Sequence, residues 1–253
     1  NFEFRALCSA ASISGPNIVL NTIVAEVLDQ FSDELEKAAD FDTALDELVR
    51  RELTAHQRII FNGNGYSDEW VAEAEKRGLS NLRSSVDAMP AFISDKAIEV
   101  FTKLGVFTKT EILSRYEILL ENYYKVINIE ALTMISMVKK DIMASACQCE
   151  YTLAETINAK NACGVKLRNK VEETRLVEAS ELTELLEERL SVLEADVEKA
   201  SEIEDALELA KYYRESVFED MSSLREIVDS LEILVPSDIW PYPTYGEILY
   251  SVK

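Results

Sequence analysis

ELTELLEERLSVLEADVEKASEIEDALE, residues 181–208, decides the architecture of this chain. Leu182, Leu186, Leu190, Leu193, Val197, Ala200, Ile203 and Leu207 recur at spacings of three and four. That is the period of one helix face. The other faces are dense in Glu, which reads as solvated helix surface, without the alternating Asp/Asn and central Gly of a calcium loop. The stripe predicts a helix of at least about 25 residues, roughly 38 Å or more at 1.5 Å per residue.

Around this stripe, residues 91–235 contain no proline, and only Gly105 and Gly164 interrupt them. Such a stretch permits long helices. A helix over about 121–161 carries Ile127, Ile129, Leu132, Ile135, Met137 and Ile142. Another, over about 206–234, carries Leu209, Tyr213, Val217, Met221, Leu224, Ile227, Val228 and Leu231. Three long amphipathic helices with short links should pack antiparallel. Pro236 stops the last, and the aromatic tail from Trp240 to Val252 is expected to be extended and docked, because aromatic rings gain by burial.

Upstream the elements are shorter. Gly15-Pro16-Asn17 reads as a turn with Asn17 as N-cap of a helix over 18–38, whose apolar side is Ile18, Val19, Ile23, Val27, Leu28, Phe31 and Leu35. A second helix starts near Asp42. Residues 60–66, Ile-Phe-Asn-Gly-Asn-Gly-Tyr, contain two Asn-Gly pairs, which call for positive φ and a tight loop. That loop reads either as a plain turn or as a part of an active-site mouth or subunit contact. Ser67-Asp68-Glu69 opens a helix that Gly78 ends, 79–90 is a connection, Ser94 caps a short helix that Gly105 ends, and Thr108 with Glu111 is a capping box.

The chain opens on Asn1-Phe2-Glu3-Phe4-Arg5. On a strand, Phe2 and Phe4 face a core while Glu3 and Arg5 share the other face. A carboxylate beside a guanidinium suits a metal ion and an anionic substrate. The same alternation also occurs on half-buried strands that hold no site. A strand without strong strand partners downstream suggests the C-terminal part of a longer protein.

The run Phe2-Glu3-Phe4-Arg5-Ala6-Leu7, with Ala11-Ser12-Ile13-Ser14-Gly15-Pro16-Asn17 and Leu20-Asn21-Thr22-Ile23-Val24-Ala25-Glu26, resembles the late catalytic segment of the glutamine synthetases, closest to their type III form. The segment from Asn62 to Trp70 resembles type III as well, and Gly105-Val106-Phe107-Thr108 through Leu120 resembles shorter forms too. The close, Leu249-Tyr250-Ser251-Val252, is similar to the last residues of shorter forms. Two departures stand near the strand: Asn1 where the family has a basic residue, and Cys8 where Gly is expected.

The resemblance implies a mainly α fold. An N-terminal strand remnant of the α/β catalytic domain is followed by helices and a long antiparallel bundle or coiled coil. It implies residues 1–126 as the C-terminal part of the catalytic domain, 127–235 as an acidic helical insertion, and 236–253 as a tail docking back on the catalytic part. It implies an ATP-dependent ligation of glutamate and ammonia, with Mg²⁺ or Mn²⁺, in a ring-forming homo-oligomer. Glu3 then falls on a metal ligand and Arg5 on a catalytic, substrate-binding position. The other metal ligands and most of the nucleotide site would lie before Asn1, so the chain alone is expected to be inactive. The competing reading is a non-enzymatic helical module for oligomerisation or interaction.

Composition excludes some classes. With 47 acidic against 26 basic residues the net charge is −21. A polyanion partner needs clustered Lys and Arg, so nucleic acid and anionic membrane surfaces are not expected. No apolar run reaches membrane-spanning length, and a signal peptide is not expected in residues 1–25, which lack a basic start and an apolar centre. Cys8, Cys147, Cys149 and Cys163 lack zinc-site spacing and read as reduced thiols of a cytoplasmic protein. His56, the single histidine, reads as structural. Ser14 has no triad partners.

Overall fold

The computed structural model describes residues 12–250. Among them the structure is mainly helical and has no strand. The strand expected over Asn1–Arg5, with Glu3 and Arg5, and Cys8 after it, lies outside the described residues. The chain forms two compact units, one reaching to Tyr116 and one from Glu117 on.

The first unit holds α1 (Ser14–Leu35), α2 (Phe41–Ala55), a single turn of 3₁₀ helix (Gln57–Ile59), α3 (Asp68–Lys76), α4 (Ser85–Phe92), α5 (Asp95–Lys103) and the start of α6 (Lys109–Met137). Caps set most of these boundaries. Ser67 and Ser94 accept the amides of Trp70 and Ala97 at 3.3 Å. The Thr108–Glu111 box closes in both directions, with the Thr108 amide donating to Glu111 at 2.8 Å and the Glu111 amide donating to Thr108 Oγ1 at 3.3 Å. Gly78 and Gly105 take φ of 73° and 67° and end α3 and α5.

Three expectations are corrected by the structure. The helix expected from 18 starts a turn earlier, at Ser14, so Asn17 lies inside it and gives its amide to Ile13 O at 3.2 Å. A proline in the first turn loses an amide that has no partner there anyway, so Pro16 does not delay the helix. The connection expected over 79–90 contains α4, capped by Ser84 accepting the Asp87 amide at 3.1 Å. Pro90 sits inside this short helix instead of ending it. Finally, neither Gly63 nor Gly65 has positive φ. Gly63 is favoured for another reason: a Cβ there would lie 2.6 Å from the Phe61 ring, which would have to shift.

The core of the first unit is small. Phe101 and Val86 are buried with Ile112. The Phe101 ring meets Phe92 and Phe107 with centroids 5.7 and 5.4 Å apart. On α1 the buried residues are polar, Thr22 and Glu26, and the apolar side read from the sequence is largely exposed.

The second unit is a helical bundle. α6 continues through a π turn (Val138–Ile142) into α7 (Met143–Ala162). α8 (Lys170–Ala200) follows, then α9 (Ala206–Tyr212), a second π turn (Tyr213–Val217), α10 (Phe218–Leu234) and the short α11 (Tyr245–Tyr250). Gly164, at φ 76°, turns the chain between α7 and α8. Between these helices Lys160 pairs with Glu172, Thr183 donates to Glu150 at 2.7 Å, and Lys139 pairs with Glu194. Residue numbers rise on one helix as they fall on the other, so the pair is antiparallel, as its period and short link predict. α9 and α10 then return along α8, where Tyr212 donates to Asp196 at 2.9 Å, and reach α6, where Tyr213 donates to Asn128 at 2.9 Å.

The apolar stripe of residues 182–207 is the spine of this core. Leu186, Leu190 and Leu193 are fully buried and share one cluster with Ile127, Ala131 and Val138 of α6 and the adjoining π turn, and with Leu224 and Leu231 of α10. The stripe outlasts its helix, however. α8 stops at Ala200, and Asp205 caps α9 by accepting the amides of Leu207 and Glu208 at 3.0 and 2.9 Å. The tail is not wholly extended either. Thr244 and Glu247 form a second capping box, which starts α11.

Candidate functional site

Site chemistry in the first unit has to be sought beside the positions expected from the sequence, because Glu3 and Arg5 are outside the described residues. A local hydrogen bond marks the start of α1, where the Ser14 amide donates to Ser12 Oγ at 3.2 Å. Further along α1, Glu26 takes Gln30 Nε2 at 2.7 Å and Lys103 Nζ at 2.8 Å, and Lys103 also reaches Asp29 at 3.1 Å. The Lys103 hydrogen bond, with Gln30 behind it, holds the Glu26 carboxyl below the ordinary range. This polar contact ties α1 to α5. It leaves the apolar side of α1 open, and with α2 that side forms a trough of about 630 Å³ lined by Leu28, Phe31, Leu35, Leu45, Val49 and Leu53 among others.

The Asn-Gly loop is the other shaped feature of this unit. Phe61 stacks on Trp70 with centroids 4.0 Å apart. Arg77 lies 5.5 Å from the Trp70 ring, donates to Ile60 O at 3.1 Å and pairs with Glu73 at 2.7 Å. One guanidinium thereby latches the loop to α3. Tyr66 at its tip is exposed. His56 is also exposed, with Nε2 3.4 Å from Glu52 Oε2. Among the described residues no three of His, Cys, Asp and Glu converge as metal donors. Cys147 and Cys163 are exposed free thiols, and burial pushes the Cys149 thiol up.

The second unit holds a pocket that the sequence did not announce. It lies between the Ile129–Ile142 stretch and α10 and is closed on one side by the tail, with a volume of about 520 Å³. Met134, Met137 and Met221 line it together with Trp240 and Ile248. Tyr242 donates to Asp141 Oδ2 at 2.7 Å and ties the tail to the π turn; burial, helped by that carboxylate, pushes the phenol up to about 12. No local motif marks the pocket, since it depends on residues far apart in sequence.

Between α8 and α10, the half-buried Asp220 faces Asp196 and has an Oδ2 that is itself buried without a hydrogen-bond partner. Burial first, and the neighbouring carboxylate second, push Asp220 up to about 6. No described helix is long and apolar enough to cross a membrane.

Comparison with known proteins accounts for much of the chain. Residues 44–161 match the glutamine synthetase C-terminal domain. A glutamine synthetase of Butyrivibrio fibrisolvens is 44% identical over 213 residues, covering 82% of this chain and 30% of that protein. The type-3 glutamine synthetase of Dictyostelium discoideum is 34% identical over 98% of this chain and 35% of its own length. A glutamine synthetase of Bacteroides fragilis (strain YCH46) is 30% identical over 99% of this chain and 35% of its length. The chain thus spans about a third of the length of the curated relatives it matches. This extent of similarity, reaching from the short helices into the bundle, places the chain in the glutamine synthetase family, with that family's C-terminal domain over residues 44–161.

Proposed function

We propose that the chain is the C-terminal portion of an ATP-dependent glutamate–ammonia ligase. The observation that carries this is the 44% identity over 213 residues to a protein named glutamine synthetase. In this reading the γ-carboxylate of glutamate is phosphorylated by ATP, and ammonia displaces phosphate from the acyl phosphate. Phosphoryl transfer of this kind depends on positioning and charge neutralisation. Arg5 offers a planar fork of donors to the substrate carboxylate or to the moving phosphoryl group. Glu3 is the one carboxylate in this chain assigned to hold Mg²⁺ or Mn²⁺, which supplies charge neutralisation when bound. Residues 12–250 bring no converging donor set to complete such a site. Because the chain spans about a third of the length of its relatives, we assign the remaining donors to sequence ahead of Asn1 and no turnover to the 253-residue chain by itself.

In the same reading residues 1–126 belong to the catalytic domain and 127–235 are an acidic, coiled-coil-like insertion, while the tail of 236–253, expected on the catalytic part, has Trp240 and Tyr242 packed on the bundle instead. The parent is a cytoplasmic homo-oligomeric ring. A second reading, a helical module for oligomerisation or interaction, draws support from the long helices of the bundle, which pack on one shared apolar core. The two readings separate by assay. The 253-residue chain should form no γ-glutamyl product from glutamate, ATP and ammonia, whereas the same chain preceded by a relative's catalytic segment should do so and lose at least about a hundredfold in turnover with Glu3→Gln. Near-wild-type turnover of the Glu3→Gln protein would remove Glu3 from the site, and turnover by the short chain would remove the claim that it is incomplete.

A further inference from the structure

The pocket of the second unit has the build of a ligand site. Its volume of about 520 Å³ falls inside the range of roughly 300–1,000 Å³ in which proteins hold small organic molecules, and gaps between bundle helices are a usual place for them. Its wall is soft: three thioether side chains, Met134, Met137 and Met221, can repack around ligands of different outline. It also sits on a π turn. An extra residue in a helical turn weakens the hydrogen-bond ladder, and such turns gather at functional positions. Here the turn sends Val138 and Ile142 into the pocket wall and gives Asp141 to Tyr242, which holds the tail across the opening.

Charge names the ligand. Four charged residues line the pocket: Glu130, Arg225, Asp229 and Glu232. Arg225 and Asp229 cancel through a 2.6 Å contact along α10. Glu130 and Glu232 have no ion-pair partner among the described residues. Two uncompensated carboxylates beside an apolar wall, on a unit where acidic residues outnumber basic ones two to one, favour a cation and oppose an anion. We propose that this pocket binds a small amphiphile, with an apolar body against Met134, Met221 and Trp240 and a single ammonium or amidinium head between Glu130 and Glu232. The site is independent of the ligase reading, since it uses neither Glu3 nor Arg5.

The test uses three probes with one tail and three heads: octylammonium, octanol and octanoate, each below its micellar concentration. Binding to the 253-residue chain is followed by calorimetry and by the emission of Trp240. The chain has two tryptophans, so Trp70→Phe should keep the signal and Trp240→Phe should lose it. Octylammonium should saturate at one site and bind at least about tenfold tighter than octanoate, with octanol between them, and the preference should shrink as salt rises. Glu130→Gln with Glu232→Gln should bring the three probes within about threefold of one another. Val228→Phe should fill the pocket and abolish binding; helical content by circular dichroism shows whether that variant is folded, and Thr133→Phe, on the more exposed side, serves if it is not. Equal binding of the three probes by the unaltered chain, a preference that survives the double substitution, or no saturable binding overturns the proposal. So does a concentration-dependent dimer that octylammonium fails to dissociate, because a second copy would then be the occupant.

Discussion

From Glu117 on, the residues with the strongest helical period are those that disappear from water: Leu190 is 1% exposed and Leu193 fully covered. Before Tyr116 the relation is reversed on α1, where Leu28 is 60% exposed while Glu26 is buried against Lys103. Both regions are helical and acidic, yet only one closes its own core. Periodicity reports which side of a helix is apolar, and in the bundle that side of α8 meets the apolar sides of α6, α7 and α10 in one cluster. In the first unit the apolar sides of α1 and α2 face an open trough. Contiguous apolar surface of this kind marks a contact surface more often than a free one.

The largest expected effect breaks or confirms that contrast directly. Leu190→Ala removes a fully buried side chain from the bundle core and should cost about 2–5 kcal/mol in chemical denaturation, with helicity lost at lower denaturant. Leu28→Ala, the same chemical change on α1, should stay within about 0.5 kcal/mol in this chain. Equal costs would mean that the first unit has a core of its own around α1.

Next in size is a pH response of opposite sign in the two regions. Asp220 is raised in the folded bundle to about 6, above its unfolded value near 3.8. The folded state therefore binds the proton more strongly. The bundle should gain stability as pH falls from about 7 through 6 towards 4, and lose it again on the way up. The gain is on the order of 1–3 kcal/mol, discounted for the partial exposure of the site. Asp220→Asn should remove the slope and leave the bundle more stable at pH 7. Glu26 is shifted the other way: its folded carboxyl lies below the unfolded range, so its contribution is present above about 4.5 and disappears as pH falls through the lowered value. Thermal melts at pH 7, 5 and 3.5, read by exchange of amides in α8 and in α1, should show the bundle strengthening at pH 5 and the first unit weakening only at the lowest pH. A bundle that weakens between pH 7 and 5 would contradict the burial of Asp220.

A smaller effect tests the loop. Arg77→Ala removes the donor to Ile60 O, the partner of Glu73 and the cation near Trp70. Cleavage by protease between residues 57 and 66 should accelerate several-fold, while α8 keeps its exchange protection. Unchanged cleavage would mean that the Phe61–Trp70 stack alone holds the loop.

Much of this fold could be read from the chain because caps are local. Ser67, Ser94, the Thr108–Glu111 box, Gly78 and Gly105 each act on residues within a turn, and each stands where it was expected. The α8 stripe was legible for a related reason, since a helix face is fixed by spacing alone. The features that escaped needed partners from elsewhere. α4 was hidden behind Pro90, whose penalty a short, capped helix tolerates. The open side of α1 could not be read because nothing local says which side of a helix finds a neighbour. The pocket, the Asp196–Asp220 pair and the Arg77 latch all depend on residues that meet only after folding. The candidate catalytic pair, Glu3 and Arg5, was legible only as an alternation and through family resemblance.

The glycines give the smallest and cleanest contrast. Gly105 has φ of 67° with no atom within 4 Å of an added Cβ, so Gly105→Ala isolates the backbone term and should cost about 1–2 kcal/mol. Gly65 has equally open space but ordinary φ. There Ala should be neutral or stabilise by up to about 1 kcal/mol, because it restricts only the unfolded chain. Gly63 lies between these cases: its φ is ordinary, but a Cβ would press on the Phe61 ring. Gly63→Ala should therefore be destabilising in the native chain and lose that cost when Phe61 is also replaced by Ala. If Gly65→Ala proved as costly as Gly105→Ala, the Asn-Gly loop would need the left-handed backbone that its sequence first suggested. If Gly63→Ala kept its full cost in the Phe61→Ala background, the ring could not be the reason for a glycine at that position.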